Sequence, residues 1–278
     1  NSLGKLPKKA VSLLENIVKD QWGNRLIRSW NEQWIGLPER LSAKIATIVG
    51  ARADEIFVGD ATTLNLYKLA FAALKAQAGR TKIISDEFNF PADLYVIQGL
   101  IGQQFPDHRL EILKSRDGIN MDYQDLFSAM DRDTALLTLS HVAFKSAFMY
   151  DMARVNSEAD NKGIWVIWDL SHAAGAVPVE LNKNKAHMAV GCTYKYLNGG
   201  PGAPAFLYVS RELQEKISNP VWSWFSHSRA FDFDLTYEPH TGIQKFACGT
   251  PQVLSMAAIE PGLDILIEAG IENIRKKS

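Results

Sequence analysis

Short apolar segments alternate with segments of helical periodicity along most of this chain, and this alternation limits its fold more than any other feature. The first unit is a helix over 41–49, a strand at 56–58 and a helix body over 64–74 that is capped within 60–63. Strands alternating with helices are typical of an α/β fold with a mostly parallel central sheet and helices on both faces, whose ligands bind beyond the carboxyl ends of the strands. Further strands are predicted at 82–85, 134–139, 164–168, 188–192 and 205–209, and helical or turn segments, including 122–130 and 153–162, separate most of them.

Charge and cysteine content narrow the class of function. The formal net charge is -1 and the acidic and basic residues are interspersed, so the chain offers no basic stripe for nucleic acid and no patch for anionic lipid. A small soluble substrate is therefore the favoured partner. Two cysteines are too few for a disulfide framework or a four-cysteine zinc site, and they fit a reducing compartment. Without a signal-peptide pattern or an apolar run of roughly 20 residues, a cytoplasmic protein without a metal site is expected.

One strand delivers two chemically useful side chains at its carboxyl end. The apolar segment 164–168 is followed directly by Asp169, and His172 comes three residues later. A carboxylate at such an end can pair with a protonated pyridine nitrogen and keep a cofactor ring electron-withdrawing. Taken alone, however, Asp169 more commonly caps the next turn and His172 is an ordinary surface or packed histidine.

The next strand leads into a lysine in a glycine-rich turn. The strand over 188–192 is followed by Thr-Tyr-Lys-Tyr-Leu-Asn-Gly-Gly-Pro-Gly, in which the lysine is Lys195. A lysine that acts as a nucleophile at neutral pH needs a lowered pKa, and aromatic neighbours that exclude water are one way to obtain it. A solvated loop lysine is the commoner case. The glycines lack the spacing of a dinucleotide-binding fingerprint, and no helical pattern follows them.

The segment over 191–206 resembles the lysine segment of kynureninases, which use pyridoxal phosphate and share the aspartate aminotransferase-like fold. Aspartate, histidine and tyrosine-lysine occur here in the family's order and at similar spacing. A single matching motif is weak evidence for a family, but a set of motifs in the family's order is specific evidence. Further matches extend through nearly the whole chain, at Asn1 to Gly4, Ser29-Trp30-Asn31, 62–68, 89–93, 222–227 and 249–251.

The resemblance also implies a domain organisation. It makes 1–40 an N-terminal arm and substrate-side segment, 41–260 the large domain that binds pyridoxal phosphate, and 261–278 the start of the connection to a small C-terminal domain. The family's arginine that clamps the substrate α-carboxylate has no counterpart before Ser278. Because the chain also begins without methionine, we expect it to be truncated at both ends. Pro261 and Gly262 predict a broken or kinked helix within 251–267.

Roles for the central residues follow from the resemblance. Lys195 is implied to hold the cofactor as a Schiff base and to move protons at the substrate α carbon. Asp169 would keep the pyridine nitrogen protonated, with His172 close to the cofactor. Phe90 would stack on the ring, which contributes on the order of 1 kcal/mol beyond burial, although an isolated Phe is more commonly core. Tyr194 is a candidate acid or proton relay, because a phenol can both donate and accept.

The cofactor phosphate is expected at the start of the helix over 64–74, where Thr62 and Thr63 add a hydroxyl or an amide. Without the resemblance those threonines are only a helix cap. Trp34 resembles a substrate-side residue that covers an aromatic ring, and core packing is an equal alternative. Other positions match cofactor-contacting residues, the last two of them across a dimer interface: Asp93, Ser140, Trp224 and Thr250.

The implied activity is hydrolysis of the β,γ carbon-carbon bond of L-kynurenine or 3-hydroxykynurenine to anthranilate or 3-hydroxyanthranilate and L-alanine, by a homodimer with shared active sites. This reaction belongs to tryptophan catabolism and NAD biosynthesis. His187, Ser226 and Gln252 depart from the family's aspartate, glycine and proline, and none touches the proposed chemistry. Two alternatives stay open: another pyridoxal phosphate enzyme of this fold, such as a cysteine desulfurase or an aminotransferase, and a non-catalytic truncated relative.

Overall fold

One mixed sheet forms the centre of the computed structural model, which describes residues 2–278. Its strands are β1 (Ile56–Val58), β2 (Lys82–Asp86), β3 (Arg109–Leu113), β4 (Thr134–Ser140), β5 (Trp165–Asp169), β6 (Met188–Gly191) and β7 (Phe206–Val209). Their order across the sheet is β1-β7-β6-β5-β4-β2-β3. Among the described strands, β7 alone runs opposite to the other six, so the predicted mostly parallel sheet is confirmed.

The helices are short, and none within residues 2–278 is long and apolar enough to cross a membrane. Wider π-helical turns at Ile17–Arg25 and Trp30–Trp34 follow the first helix, and single 3-10 turns lie at Ala53–Glu55, Trp224–Ser226 and Gly242–Phe246. The α-helices are α1 (Lys8–Asn16), α2 (Leu37–Val49), α3 (Thr62–Ala76), α4 (Pro91–Gln103), α5 (Tyr123–Ala129), α6 (Met152–Asn161), α7 (Arg211–Gln214), α8 (Val253–Ala257), α9 (Glu260–Ala269) and α10 (Ile271–Lys277).

Helices cover both faces of the sheet, because successive strand residues point to opposite sides. In β5, Val166 and Trp168 lie in a core with apolar residues of α2, α6 and α9. Ile167, between them, lies in a second core with residues of α3 and α4. Trp168 is fully buried, and its indole nitrogen donates to Asn156 Oδ1 at 3.0 Å. The strand is therefore apolar up to its last residue, Asp169, as expected for a parallel sheet buried on both faces.

β3 and the start of α9 both differ from the sequence prediction. β3 was not predicted, because it is an edge strand whose alternating residues include Arg109 and Glu111 rather than an apolar run. The predicted break at Pro261 and Gly262 lies slightly earlier, since α8 ends at Ala257 and α9 begins at Glu260. Pro261 stands in the first turn of α9, where its missing N–H costs no helical hydrogen bond.

Candidate active site

Asp169 marks the edge of the sheet where the parallel strands end. It pairs in register with Ser140 of β4 on one side and Val190 of β6 on the other. Its carboxylate is buried and accepts a hydrogen bond from the Ser171 backbone N–H at 2.9 Å. Burial raises the pKa of Asp169, and the hydrogen bonds from Ser171 partly oppose that rise. The predicted acid therefore lies where the fold places ligands.

A second carboxylate, Asp93 in the first turn of α4, lies close enough to Asp169 to interact with it. Asp93 is 5% exposed, and its Oδ2 atom has no hydrogen-bond partner among the described residues. Burial, followed by the charge of Asp169, raises the pKa of Asp93 to about 8, while Lys195 acts in the opposite direction. Two buried carboxylates at one site favour a ligand that brings a positive charge or a strong donor.

Lys195 lies in the turn after β6, beside His172. Its Nζ atom is 3.2 Å from His172 Nε2 and 5.7 Å from the centre of the Phe90 ring. Burial, and then the positive charge of Lys195, lower the pKa of His172 to about 4. The imidazole is therefore neutral at pH 7 and can accept a hydrogen bond from the lysine ammonium.

Aromatic rings line the cavity around Lys195, which has a volume of about 450 Å³. Phe144, for which the sequence predicts no role, stacks on His172 with ring centres 6.3 Å apart and meets Phe90 edge-on at 5.3 Å. Its only sequence signal is its place shortly after β4. The described residues that line the cavity are Ser2, Phe90, Val142, Ala143, Phe144, Ala147, His172, Tyr194, Lys195 and Tyr196.

The amino end of α3 opens into a neighbouring cavity of about 590 Å³. Thr62 and Thr63 line it together with Tyr194, which also lines the Lys195 cavity. The residue before the helix is Ala61, so no side chain caps the first backbone N–H groups. Such an uncapped helix start favours an anion. Tyr194 connects this anion-favouring pocket to the lysine.

Asn89 joins the ends of two strands behind the Phe90 ring. It is buried, and its Oδ1 atom accepts from Ser140 Oγ at 2.8 Å and from the Phe90 backbone N–H at 3.0 Å. Its Nδ2 atom donates to the Thr138 carbonyl at 3.1 Å. Ser140, predicted to contact the cofactor, therefore bonds directly to a residue whose role the sequence does not predict.

Three predicted site residues lie elsewhere within the chain. Trp34 lines a separate cavity of about 130 Å³ and donates from its indole nitrogen to Gln21 Oε1 at 2.8 Å. Trp224 packs among the aromatic rings of residues 225–233, and Thr250 lines a large cavity of about 770 Å³. None of these cavities includes Lys195 among its lining residues. Within one chain, these three residues and the lysine therefore line different cavities.

No cluster of His, Cys, Asp and Glu suited to a metal ion occurs in the described part of the chain. The site is instead an amine, two buried carboxylates, a neutral imidazole and an anion-favouring helix start. This set of groups fits an organic cofactor that carries both a basic ring and an anionic group.

Comparison with known proteins identifies the class. The model of the class-V aminotransferase family matches residues 6–278, and the chain belongs to that family. Over 283 aligned residues that cover the whole chain, it is 42% identical to the kynureninase of Pseudomonas fluorescens and 41% identical to that of Burkholderia mallei strain SAVP1. The chain spans 66% of the length of each of these kynureninases. The resemblance to kynureninases expected from the sequence is confirmed.

Solved structures show the same fold at low sequence identity. A cysteine desulfurase from Thermococcus onnurineus NA1 is 19% identical, with a TM-score of 0.82 over 99% of this chain and 68% of that one. A C-DES mutant with glycine covalently linked to its pyridoxal phosphate cofactor is 16% identical, with a TM-score of 0.85 over 99% of this chain and 72% of that one. These comparisons confirm the fold class and support the expected pyridoxal phosphate cofactor.

Proposed function

We propose that this chain binds pyridoxal phosphate and forms the main part of an enzyme that cleaves the β,γ carbon-carbon bond of L-kynurenine or 3-hydroxykynurenine. One observation carries the proposal: the Lys195 amine lies 3.2 Å from the neutral His172 ring, within electrostatic range of two buried carboxylates. The 42% identity to a kynureninase favours this activity over that of a desulfurase. The expected products are anthranilate, or its 3-hydroxy form, and L-alanine.

The residues present fit the cofactor. Asp169 and Asp93 would hold a protonated pyridine nitrogen, which supplies a donor for the Oδ2 atom of Asp93. Thr62, Thr63 and the first N–H groups of α3 would hold the phosphate. Phe90 would pack against the ring, since it lines the same cavity as the lysine.

Each of these residues then has a chemical task. When bound, pyridoxal phosphate supplies an electron-withdrawing ring that stabilises negative charge at the substrate carbons attached to it. Asp169 would keep the proton on the pyridine nitrogen, and its buried setting would strengthen that interaction. Lys195 would hold the cofactor through its side-chain amine and would move a proton at the substrate α carbon. His172 orients the lysine amine through the contact at 3.2 Å.

Cleavage between the β and γ carbons also needs an acid or relay, and we assign this role to Tyr194. Its side chain lines both the lysine cavity and the anion-favouring pocket. Burial raises the pKa of its phenol, so the hydroxyl is protonated at neutral pH and can donate. Phe90 and Phe144 line the cavity around the amine, and their rings meet edge-on.

The active unit is proposed to be a cytoplasmic homodimer that works in tryptophan catabolism and NAD biosynthesis. Trp224 and Thr250 line cavities other than that of the lysine of their own chain, which supports assigning them to the site of a second chain. Trp34 would cover the aromatic ring of the substrate. We also propose a substrate-side arm over 1–40, a cofactor domain over 41–260 and a connection from 261, which follows the first residue of α9.

The test is an absorbance spectrum of the purified chain with pyridoxal phosphate, taken before and after borohydride. The wild type should form a reducible chromophore, whereas Lys195→Ala should not. Kynurenine should then yield anthranilate, and cysteine should yield no sulfide. Sulfide release would identify a desulfurase. A chromophore without turnover of either substrate would identify a non-catalytic relative, and absence of the chromophore from folded protein would overturn the cofactor site.

A further inference from the structure

The N-terminal segment packs directly against the turn that carries Lys195. The Gly4 backbone N–H donates to the Tyr194 carbonyl at 2.7 Å, and the Lys5 backbone N–H donates to Asn198 Oδ1 at 3.1 Å. These two bonds lie on either side of Lys195 in the sequence. The segment therefore holds the lysine turn at both of its ends.

Gly4 makes this contact possible because it has no side chain. A Cβ atom at Gly4 would lie 2.3 Å from the Lys195 carbonyl oxygen and 2.7 Å from the Asn198 Cα atom, both of them backbone atoms. Contacts this short exclude any larger residue unless the lysine turn moves. The backbone position of Lys195 is therefore coupled to the N-terminal segment.

A second glycine packs on the turn from α9. A Cβ atom at Gly262 would lie 2.3 Å from the Leu197 carbonyl oxygen and 3.1 Å from the Asn198 carbonyl oxygen. The lysine turn is thus confined between two backbone segments that are far apart in sequence. Asn198 contacts both of them.

Asn198 suits its position in the lysine turn by its backbone conformation and by its side-chain oxygen. Its φ angle is +57°, in the left-handed region, which asparagine tolerates better than most residues. Its side-chain oxygen accepts the Lys5 N–H, which a glycine at this position could not do.

We propose that Asn198 is a positioning residue that locks the lysine turn between Gly4 and Gly262 and thereby fixes the amine of Lys195 beside His172. The use of this amine rests on the proposed function, whereas the contacts themselves do not. A shift of about 1 Å in a reacting group lowers rates by about a hundredfold, so the lock affects bond formation at Lys195.

The test compares Asn198→Gly, which allows the same φ but removes the acceptor, with Asn198→Asp, which keeps an acceptor and tolerates this φ. Gly4→Ala disturbs the same contact from the other side. Gly102→Ala is the matched control, because a Cβ atom there meets nothing within 4 Å. Two rate constants are measured: formation of the borohydride-reducible chromophore with pyridoxal phosphate, and acetylation of Lys195 in cofactor-free protein relative to the exposed Lys9.

Asn198→Gly and Gly4→Ala should slow chromophore formation by about tenfold and speed relative acetylation of Lys195 by about threefold, since the amine is released from its fixed position. Asn198→Asp and Gly102→Ala should stay close to wild type. Unchanged rate constants in Asn198→Gly overturn the proposal. If the wild type forms no chromophore, the proposed function is refuted but the positioning role of Asn198 is not. The relative acetylation of Lys195 then tests that role, and equal values in wild type and Asn198→Gly refute it.

Discussion

At the residue scale, burial decides what the titratable groups of the site do. Asp93 and Asp169 are both buried, and only Asp169 has a backbone donor in Ser171. Burial raises the pKa of both carboxyl groups, and at Asp169 the hydrogen bonds from Ser171 oppose that rise. Partial burial, together with the positive charge of Lys195, keeps His172 neutral at pH 7.

Asp93 makes the stability of the cofactor-free chain depend on pH. Its pKa rises from 3.8 in the unfolded chain to about 8 in the folded chain, so the folded chain binds this proton more tightly. Its contribution to stability is full below pH 4 and is lost as pH rises towards 8, by at most about 1.4 kcal/mol per pH unit. Asp93→Asn should flatten the free energy of unfolding over this range, as measured by urea denaturation. Asp107→Asn, on the surface, serves as the control, and parallel curves for wild type and Asp93→Asn would refute the shift.

Tyr194→Phe tests the proposed role of the Tyr194 phenol as an acid or proton relay. Removing the hydroxyl should lower kcat for anthranilate release by about a hundredfold, the usual contribution of a general acid, while the cofactor still binds. Steady-state kinetics and a cofactor titration measure the two effects separately. Tyr196→Phe is the matched control, because Tyr196 lines the same cavity. Unchanged turnover in Tyr194→Phe would remove the phenol from the chemistry.

At the scale of the element, α3 begins without a side chain that caps its first backbone N–H groups. Ala61 has the extended backbone of a capping residue but no side chain that could accept from the first turn. The free N–H groups face the cavity that Thr62 and Thr63 line. A helix start left open in this way is less stable by itself and better suited to bind phosphate.

Ala61→Asp should therefore stabilise the cofactor-free chain but weaken its binding of pyridoxal phosphate. The new carboxylate should raise the free energy of unfolding of the cofactor-free chain by about 1 kcal/mol, because it caps α3. It should also weaken the affinity for pyridoxal phosphate at least about tenfold, because it repels the phosphate. Ala61→Ser should also raise the free energy of unfolding, but it should weaken the affinity for pyridoxal phosphate less than Ala61→Asp does. Equal cofactor affinity in Ala61→Asp and wild type would place the phosphate elsewhere.

At the scale of the whole molecule, one surface is unusually apolar. Trp222 and Phe233 are 70% and 71% exposed, and Leu235 is fully exposed. These residues belong to the same aromatic segment as Trp224. Large exposed aromatic patches mark interaction surfaces, and the proposed second chain accounts for this one.

Complementation between two variants tests shared sites. Lys195→Ala and Trp224→Ala should each bind cofactor poorly on their own. If sites are shared, an equal mixture that has exchanged chains should recover the reducible chromophore in about a quarter of the sites, because one site of each mixed dimer is intact. Absorbance after mixing measures the recovery. No recovery in a sample that sedimentation shows to be dimeric would place Trp224 and Lys195 in separate sites.

The sequence by itself determined the type of fold and the chemistry at the strand ends. β1 occupies 56–58 as predicted and β5 is shifted by one residue, because apolar runs buried on both faces are visible without structure. Asp169 and Lys195 were recognisable because each follows such a run. The edge strand β3 has no such run and was missed.

Only the tertiary structure decided how the site is held together. The approach of Gly4 to Lys195 and of Gly262 to Leu197 joins segments distant in sequence, and no local pattern encodes that distance. The raised pKa of Asp93 in α4 likewise depends on burial beside the Asp169 carboxylate of β5. Local periodicity specifies elements, because neighbouring residues share a face, whereas pKa values and backbone contacts depend on which elements meet in space.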